Sequence, residues 1–416
     1  MTRLLHSLLL VFAPFAAGYF LSYLFRVVNA VIAPDLIHDI GASPSELGML
    51  TATYFLTFAA FQLPLGILLD RFGPRRVEAI LLVIAAAGAF LFARAETIAG
   101  LICGRALIGF GVSACLMAAF KAYTMWFDRQ SWPLINGFQM AAGGLGALAA
   151  TSPVQMILHY TDWRGLFTGL AVLSLFTGFL ILTLVPKRQA QAAGSLQLQE
   201  QLRSVREIFV SREFLRIAPL TTLSQATFLA IQGLWAGPWL SHVAGLSRDA
   251  GADILFLVAL AMVGGFVLMG SLAAQLTSRL KISVATTAVA GMTIFMVFQL
   301  ALIIAPGRGV TLIWTGFGFF GTSGILSYAA LTQSFPVYLA GRVTTAINLL
   351  VFVAAFLAQW FIGWLIGLLS PGPDQLTATA FGTAFGVLLA CELLCLVWYL
   401  IPASRGPGAE EPVSSG

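Results

Sequence analysis

The stretch GILLDRFGPRR, Gly66–Arg76, gathers one acid and three arginines into a short turn. The apolar run Met49–Leu69 leads into it and the apolar run Val77–Ala93 leaves it. A helix rises 1.5 Å per residue, so about 20 apolar residues match a hydrocarbon core about 30 Å thick. Gly73 and Pro74 break the first run and start the second. The stretch therefore reads as a charged loop between two membrane-spanning helices.

The rest of the chain has the same character. Its 416 residues are 59% hydrophobic and 9% charged, with a mean hydropathy of +0.92. Soluble domains carry about 25% charged residues, so this composition cannot cover a water-exposed surface. The net charge of +5 and pI near 9.2 do not indicate nucleic acid, because the basic residues fall in short loops between apolar runs. Cys103, Cys115, Cys391 and Cys395 all lie inside apolar runs, where cysteine acts as a small hydrophobe. The i, i+4 pair in CELLC has no accompanying histidines, so no metal site is expected. The opening MTRLLHSLLLVFAPFAAGYFLSYLF begins like a signal peptide, but its apolar run continues too far and is read as an uncleaved first helix.

Twelve spans are expected. The first six are Leu8–Ile32, Met49–Leu69, Val77–Ala93, Ile98–Trp126, Pro133–Met156 and Gly165–Leu184. The second six are Phe214–Leu240, Ile254–Leu272, Val284–Ile304, Thr311–Leu331, Thr345–Leu369 and Thr377–Ile401. An even number returns both termini to one side. Fifteen Lys and Arg residues lie in loops on that side against four opposite, with Arg26, Arg105 and Lys121 left inside spans. The excess of positive charge places both ends in the cytoplasm of a multi-pass inner-membrane protein. The expected division is a six-helix bundle over 1–185, a linker over 186–213, a second bundle over 214–402 and a disordered tail over 403–416. In the linker, Leu198, Leu202, Val205 and Phe209 share one helical face, which suits either a surface-lying amphipathic helix or a solvated one.

GILLDRFGPRR resembles the signature loop of the major facilitator superfamily: a Gly, then Asp-Arg, a second Gly and Arg-Arg. LICGRALIGFGVSA is similar to the superfamily's second signature through Leu101, Arg105, Gly109, Gly111 and Ala114, with Ile108 where a Gln is usual. DWRGLF before the sixth span is also common there. GSLAAQLTSRLK (Gly270–Lys281) repeats the first signature in the second half without its Asp, and PLINGF is echoed by TTAINLL. The resemblance implies an all-α membrane fold of twelve helices in two pseudo-symmetric halves. It also implies a substrate site at mid-membrane, alternating access by rocking, and a chain that is a carrier and not an enzyme. It assigns Gly66, Asp70, Arg71, Gly73, Arg75 and Arg76 to a conformational latch. On physical grounds Gly66 permits close packing, Asp70 pairs with cations or a helix N-terminus, and Arg75 and Arg76 hold the loop at the headgroups.

The fold also implies that helices one, four, seven and ten line the path. Polar residues recur there at helical spacing. Tyr19, Ser22, Arg26 and Asn29 share a face in the first span, as do Gln225, Gln232, Trp235 and Trp239 in the seventh. Ser323, Ser327 and Tyr328 mark the tenth, and Asn348 and Gln359 the eleventh. Arg26 is the unusual member, since an arginine at a helix centre costs about 2.5–3.5 kcal/mol on insertion scales. The four lining helices offer no carboxylate to neutralise Arg26 or Arg105. Such a cavity favours an anion, and a guanidinium suits a planar carboxylate. The alternatives are that Arg26 binds carbonyls or water, or pairs with Asp35, and that Arg105 braces helices. Lys121 is expected to snorkel to the surface. Trp235 and Trp239 are expected either to stack on a substrate or to anchor at the interface.

The superfamily's organophosphate carriers place a second Arg in helix seven. The 204-residue offset of the loop motifs carries Arg26 to the neighbourhood of Gln232, so that cation is missing. The helix-two Arg of the nitrate carriers is missing as well. The Gly-Pro pair of drug antiporters is replaced by a Gly-rich stretch whose Pro153 comes late. No Walker loop is present, which leaves a gradient as the energy source. Glu392, Asp35 or a protonated substrate are the candidates for proton coupling. The leading expectation is proton-coupled uptake of a small organic anion by a monomer in the lipid bilayer, without a cofactor. The competing expectations are an exporter of drugs or amphipathic compounds, and a carrier-shaped sensor or assembly protein.

Overall fold

Side-chain caps set where the helices begin. Ser43 forms a reciprocal capping box with Glu46 ahead of Pro44. Thr97, Asp162, Ser211, Ser247, Ser283 and Thr377 each accept from the backbone N–H three residues on. The computed structural model describes residues 8–128, 132–187, 206–305, 307, 309–335, 340–370 and 376–401.

The described residues form twelve helical segments, ten of them long and apolar enough to cross a membrane singly, or eleven with the bent pair of α5 taken as one. The first half contains α1 (Leu8–Val27, continued by Asn29–Ile40), α2 (Pro44–Phe72), α3 (Pro74–Arg94), α4 (Ile98–Trp126), α5 (Trp132–Ala149 and Ser152–Leu158) and α6 (Trp163–Leu184). The second half contains α7 (Arg212–His242), α8 (Arg248–Leu280), α9 (Val284–Ile304), α10 (Val310–Gly321, continued to Gln333), α11 (Ala340–Leu369) and α12 (Ala378–Leu400). Ile98–Trp126 and Val284–Ile304 agree with the expected bounds to the residue. Several others run past the hydrocarbon width, because caps and not hydropathy end them. α2 and α3 are joined by Gly73 alone, whose φ of 77° a side chain would strain. The linker positions Leu198, Leu202 and Val205 and the tail 403–416 lie outside the described residues; residues 206–210 are helical, and Phe209 packs edge-on against Phe214 at 5.2 Å.

Prolines inside α1 and α7 determine two helix crossings. Pro34 has no N–H to offer the Ala30 carbonyl, and α7 packs Gly237 directly onto that oxygen, where any side chain would overlap it. Pro219 likewise frees the Leu215 carbonyl, which accepts from the Trp398 indole of α12 at 3.0 Å. The halves meet along α1–α7, α2–α11 and α5–α8. Gly48 and Gly363 let the backbones of α2 and α11 touch. The outward faces of α3 and α9 are apolar and exposed, as at Ile80, Val83, Phe90, Val297 and Ile304, which suits lipid contact.

Candidate functional site

The four helices expected to line the path are all interrupted. α1 loosens at Val28, α4 at Ser113–Ala114, α7 winds into a π-turn over Ile231–Trp235, and α10 tightens into a 3-10 turn over Thr322–Gly324. Each interruption frees carbonyls that must be satisfied away from water. In the first half Gln62 donates to the Ser113 carbonyl at 3.2 Å, and Ser22 to that of Val112 at 3.5 Å. In the second half Gln225 donates to the Gly321 carbonyl at 2.7 Å. The first helix of each half thus mends the break in its fourth.

These bonds decide which polar residues remain available. Gln225 and Ser22 are committed to the breaks. Asn29 donates to Thr51 at 2.8 Å inside the first half. Trp235 donates to the Gln359 carbonyl at 3.2 Å and Gln359 to that of Ala230 at 3.4 Å, tying α7 to α11. Trp239 stacks edge-on against Trp314 at 5.4 Å, and with both α7 tryptophans buried neither is an interfacial anchor. Gln232 sits 3.5 Å from the Met262 sulfur. Arg105, fully buried, donates to the Phe25 carbonyl at 2.9 Å, and its guanidinium lies 5.1 Å from the Tyr54 ring. It braces α1 against α4.

Arg26 is placed differently. Its guanidinium lies 4.4 Å from the Tyr23 ring centre, 5.4 Å from that of Phe58 and 5.3 Å from that of Phe352. The last ring belongs to α11, so the box closes across the two halves. Cation–π contacts hold the charge without cancelling it. The ion pairs among the described residues do not include Arg26, and its Nε has no hydrogen-bond partner. Asp35, its conceivable partner from the sequence, pairs instead with Arg248 of α8 at 2.5 Å. Tyr19 packs edge-on against Tyr23 at 5.2 Å, and its hydroxyl meets the Met140 sulfur at 3.6 Å. On the other side Tyr328 of α10 lies 3.5 Å from Asn348 of α11 and interacts electrostatically with Tyr23. The structure thus gathers Tyr19, Arg26, Tyr328 and Asn348 near the plane between the halves. It sets Asn29, Arg105, Gln232 and Trp235 in interhelical packing. The aromatic box of Tyr23, Phe58 and Phe352 was missed, because rings in an apolar run give no periodic polar signal.

The side of the bundle away from the termini is closed. Besides the Asp35–Arg248 pair, Ser152 bonds Asp253 at 2.8 Å, while Gln155 and His159 each bond Asp249 at 3.2 Å. These contacts join α5 and α1 to the start of α8. A cavity of about 450 Å³ lies beside them, lined by Asp35, Asp39, His159 and Arg248 among others. The Asp39 carboxyl is held below the usual carboxylate range, first by its hydrogen bond with His38 and then by the Trp163 indole. At the opposite end, Arg75 donates to the Leu182 carbonyl in the last turn of α6. It caps a neighbouring helix. Arg71 lies over Phe72 at 5.2 Å, and the side chain of Asp70 lies outside the described residues. Glu392 is fully buried in α12, and neither carboxyl oxygen has a hydrogen-bond partner.

Known proteins share this architecture. A bacterial homologue of the human lysosomal transporter Spinster, in an inward-facing and occupied conformation, superposes with a TM-score of 0.79 over 94% of this chain and 95% of its own, at 15% identity. A probable sulfoacetate transporter, SauU, of Cupriavidus necator is 28% identical over 38% of this chain and 36% of its own length. The multidrug resistance protein MdtL of Klebsiella pneumoniae is 24% identical over 88% of this chain and 89% of its own. The matches to SauU and to a Bacillus subtilis transporter, YybO, span little more than a third of those relatives. The Major Facilitator Superfamily model matches residues 15–359. Two six-helix halves, interrupted first and fourth helices in each, and a family match over most of the sequence lead to one assignment: the chain belongs to the major facilitator superfamily of secondary transporters.

Proposed function

We propose that the protein carries a small organic anion across the cytoplasmic membrane by alternating access, with protons driving uptake. The observation that supports this most is Arg26, a buried cation at the seam of the halves with aromatic walls and, among the described residues, no ion-pair partner. An anion entering the box gains a charge-assisted hydrogen bond and a cancelled charge together. Tyr19, Tyr328 and Asn348 lie near enough to the seam to orient its remaining oxygens. The likeness to a probable sulfoacetate transporter favours a carboxylate or sulfonate. With the termini in the cytoplasm, the side closed by Asp35 and Arg248 is the outer one, and the site communicates with the inside. A Cys placed at Gly307 then reacts with an impermeant thiol reagent added outside, and one at Ser195 does not; the reverse pattern refutes the orientation.

The test of function is uptake into proteoliposomes of radiolabelled sulfoacetate, lactate and succinate, with and without an inward proton gradient. Saturable uptake that the gradient increases supports the proposal. The second reading, export of amphipathic compounds by proton antiport, draws on MdtL, whose match runs nearly the whole chain, and on the aromatic walls. It predicts no anion uptake and gradient-driven extrusion of a lipophilic dye.

A further inference from the structure

Glu78 belongs to the first turns of α3, a helix whose other polar groups lie at its ends. It is fully buried, its carboxyl oxygens accept no N–H or O–H among the described residues, and its partner is the weakly donating Cys115 thiol. The carboxyl lies directly against Gly18 of α1. A side chain at position 18 would overlap the Oε1 atom and stand 3.8 Å from the Cys115 sulfur of α4. The glycine therefore makes the space that the acid occupies. Cys115 follows the break in α4 and interacts electrostatically with both Glu78 and Arg26. Tyr123 lies further along α4 and would feel Glu78 only with the carboxyl ionised. These are the titratable groups that act on it. α6 offers Ser174 and Thr177, whose hydroxyls bond carbonyls of their own helix at 2.8 Å. No cation faces the carboxyl among the described residues.

An ionised carboxylate buried without a cation costs several kcal/mol, and a neutral acid far less. In this conformation, closed on the side away from the termini, the site therefore holds a proton. α1 also carries Arg26, eight residues and about 12 Å further along. We propose that Glu78 is the proton-binding site that couples this carrier to a pH gradient, loading its proton when α1 packs Gly18 over the carboxyl and releasing it when α1 shifts against α3 within the first half. The step transfers one proton between water and the Glu78 carboxylate and breaks no other bond. Deprotonated, Glu78 presents a negative charge toward Arg26 and competes with the bound anion. Protonation removes the competitor. Proton and anion thereby favour each other's binding to the same degree.

The inference rests on the carrier reading above, and two measurements separate their fates. The first uses N,N′-dicyclohexylcarbodiimide, which modifies protonated carboxyls in apolar surroundings, with peptide mass spectrometry on the unmodified protein. Labelling at Glu78 that falls as pH rises supports the proposal; no labelling, or labelling independent of pH, overturns it. The second compares gradient-driven uptake with counterflow for sulfoacetate, lactate and succinate. One proton per anion turns each unit of pH difference into about tenfold accumulation. Glu78→Gln, which keeps the shape, should abolish the accumulation and retain counterflow, while Glu78→Asp should restore part of the accumulation. Parent-like accumulation by Glu78→Gln overturns the proposal with the carrier reading intact. If the parent moves none of the anions in either mode, the carrier reading falls and the carbodiimide result judges Glu78 alone. If Glu78→Gln does not fold, the labelling decides.

Discussion

The helices α1 and α7 begin their respective halves and are built alike, but they carry different chemistry. Each has an internal proline, each crosses the other at the Ala30–Gly237 contact, and each donates a side chain to the broken fourth helix of its half. Each also has a fully buried glutamate close by, Glu78 beside α1 and Glu392 near Thr227 of α7. The asymmetry is cationic. α1 carries Arg26 and is braced by Arg105, whereas α7 has Gln232 and Trp235 and no buried cation. The fold repeats because helix packing repeats, and the buried cations do not repeat with it.

Moving that charge across the seam should have the largest effect. Gln232→Arg puts a guanidinium at a position that is 3% exposed and already filled against Met262. Nothing there stabilises it, so the unpaired charge should cost several kcal/mol. The expected result is loss of the monodisperse folded species in detergent and of membrane yield. A folded variant that binds anions would show that the halves are interchangeable after all.

Removing the charge from its own side should do less to the fold and more to function. Arg26→Gln loses a charge-assisted bond worth about 1.5–3 kcal/mol, roughly tenfold to over a hundredfold in anion affinity. Arg26→Lys keeps the charge without the planar fork and should fall between. Folding should survive, because an unpaired buried cation is removed. Parent-like anion affinity for folded Arg26→Gln, measured by calorimetry or equilibrium uptake, would deny Arg26 its role.

Trp398→Phe probes the second half without touching the seam. The indole is the donor to the carbonyl that Pro219 leaves free. Its loss should lower stability by about 0.5–1.5 kcal/mol, read as a shift of the thermal midpoint, with transport affinity unchanged.

Much of this architecture was legible in the sequence because lipid imposes a length and a composition on every span. Spans, their order and the family followed from GILLDRFGPRR and the apolar runs around it. The polar faces were legible as faces but not as a site. Periodicity shows that Gln225, Asn29 and Trp235 point inward. It does not show that an interrupted helix or a neighbouring carbonyl already claims them. Polar periodicity does not mark those breaks. Tyr23, Phe58 and Phe352 were invisible for the opposite reason, since aromatic rings in a membrane helix look like any other apolar residue. Glu78 gives no sign of its burial in the sequence: it follows a charged loop within the first turns of α3, and the absence of a side chain at Gly18 admits it to the interior.

The smallest single effect should come from the pair that joins the two halves on the closed side. Asp35 and Arg248 are 24% and 45% exposed, so solvent screens them and the pair contributes about 0.2–1 kcal/mol. Asp35→Asn should therefore change the ratio of closed to open carriers by no more than about fivefold, and leave anion affinity at Arg26 nearly untouched. The effect should shrink as salt is raised, because exposed charges lose their attraction over a Debye length of about 10 Å at 0.1 M. Spin labels at Ser45 and Ser370, on the α2 and α11 ends of that side, would report the ratio as a distance distribution. A charge reversal, Asp35→Arg with Arg248→Asp, should restore the parent distribution if attraction is what the pair supplies. If Asp35→Asn leaves the distribution unchanged at low salt, closure rests on the Ala30–Gly237 and Gly48–Gly363 backbone contacts alone. If it abolishes proton-driven uptake without moving the distribution, Asp35 itself carries the coupling proton and the assignment of that role to the buried acid beside α1 is wrong.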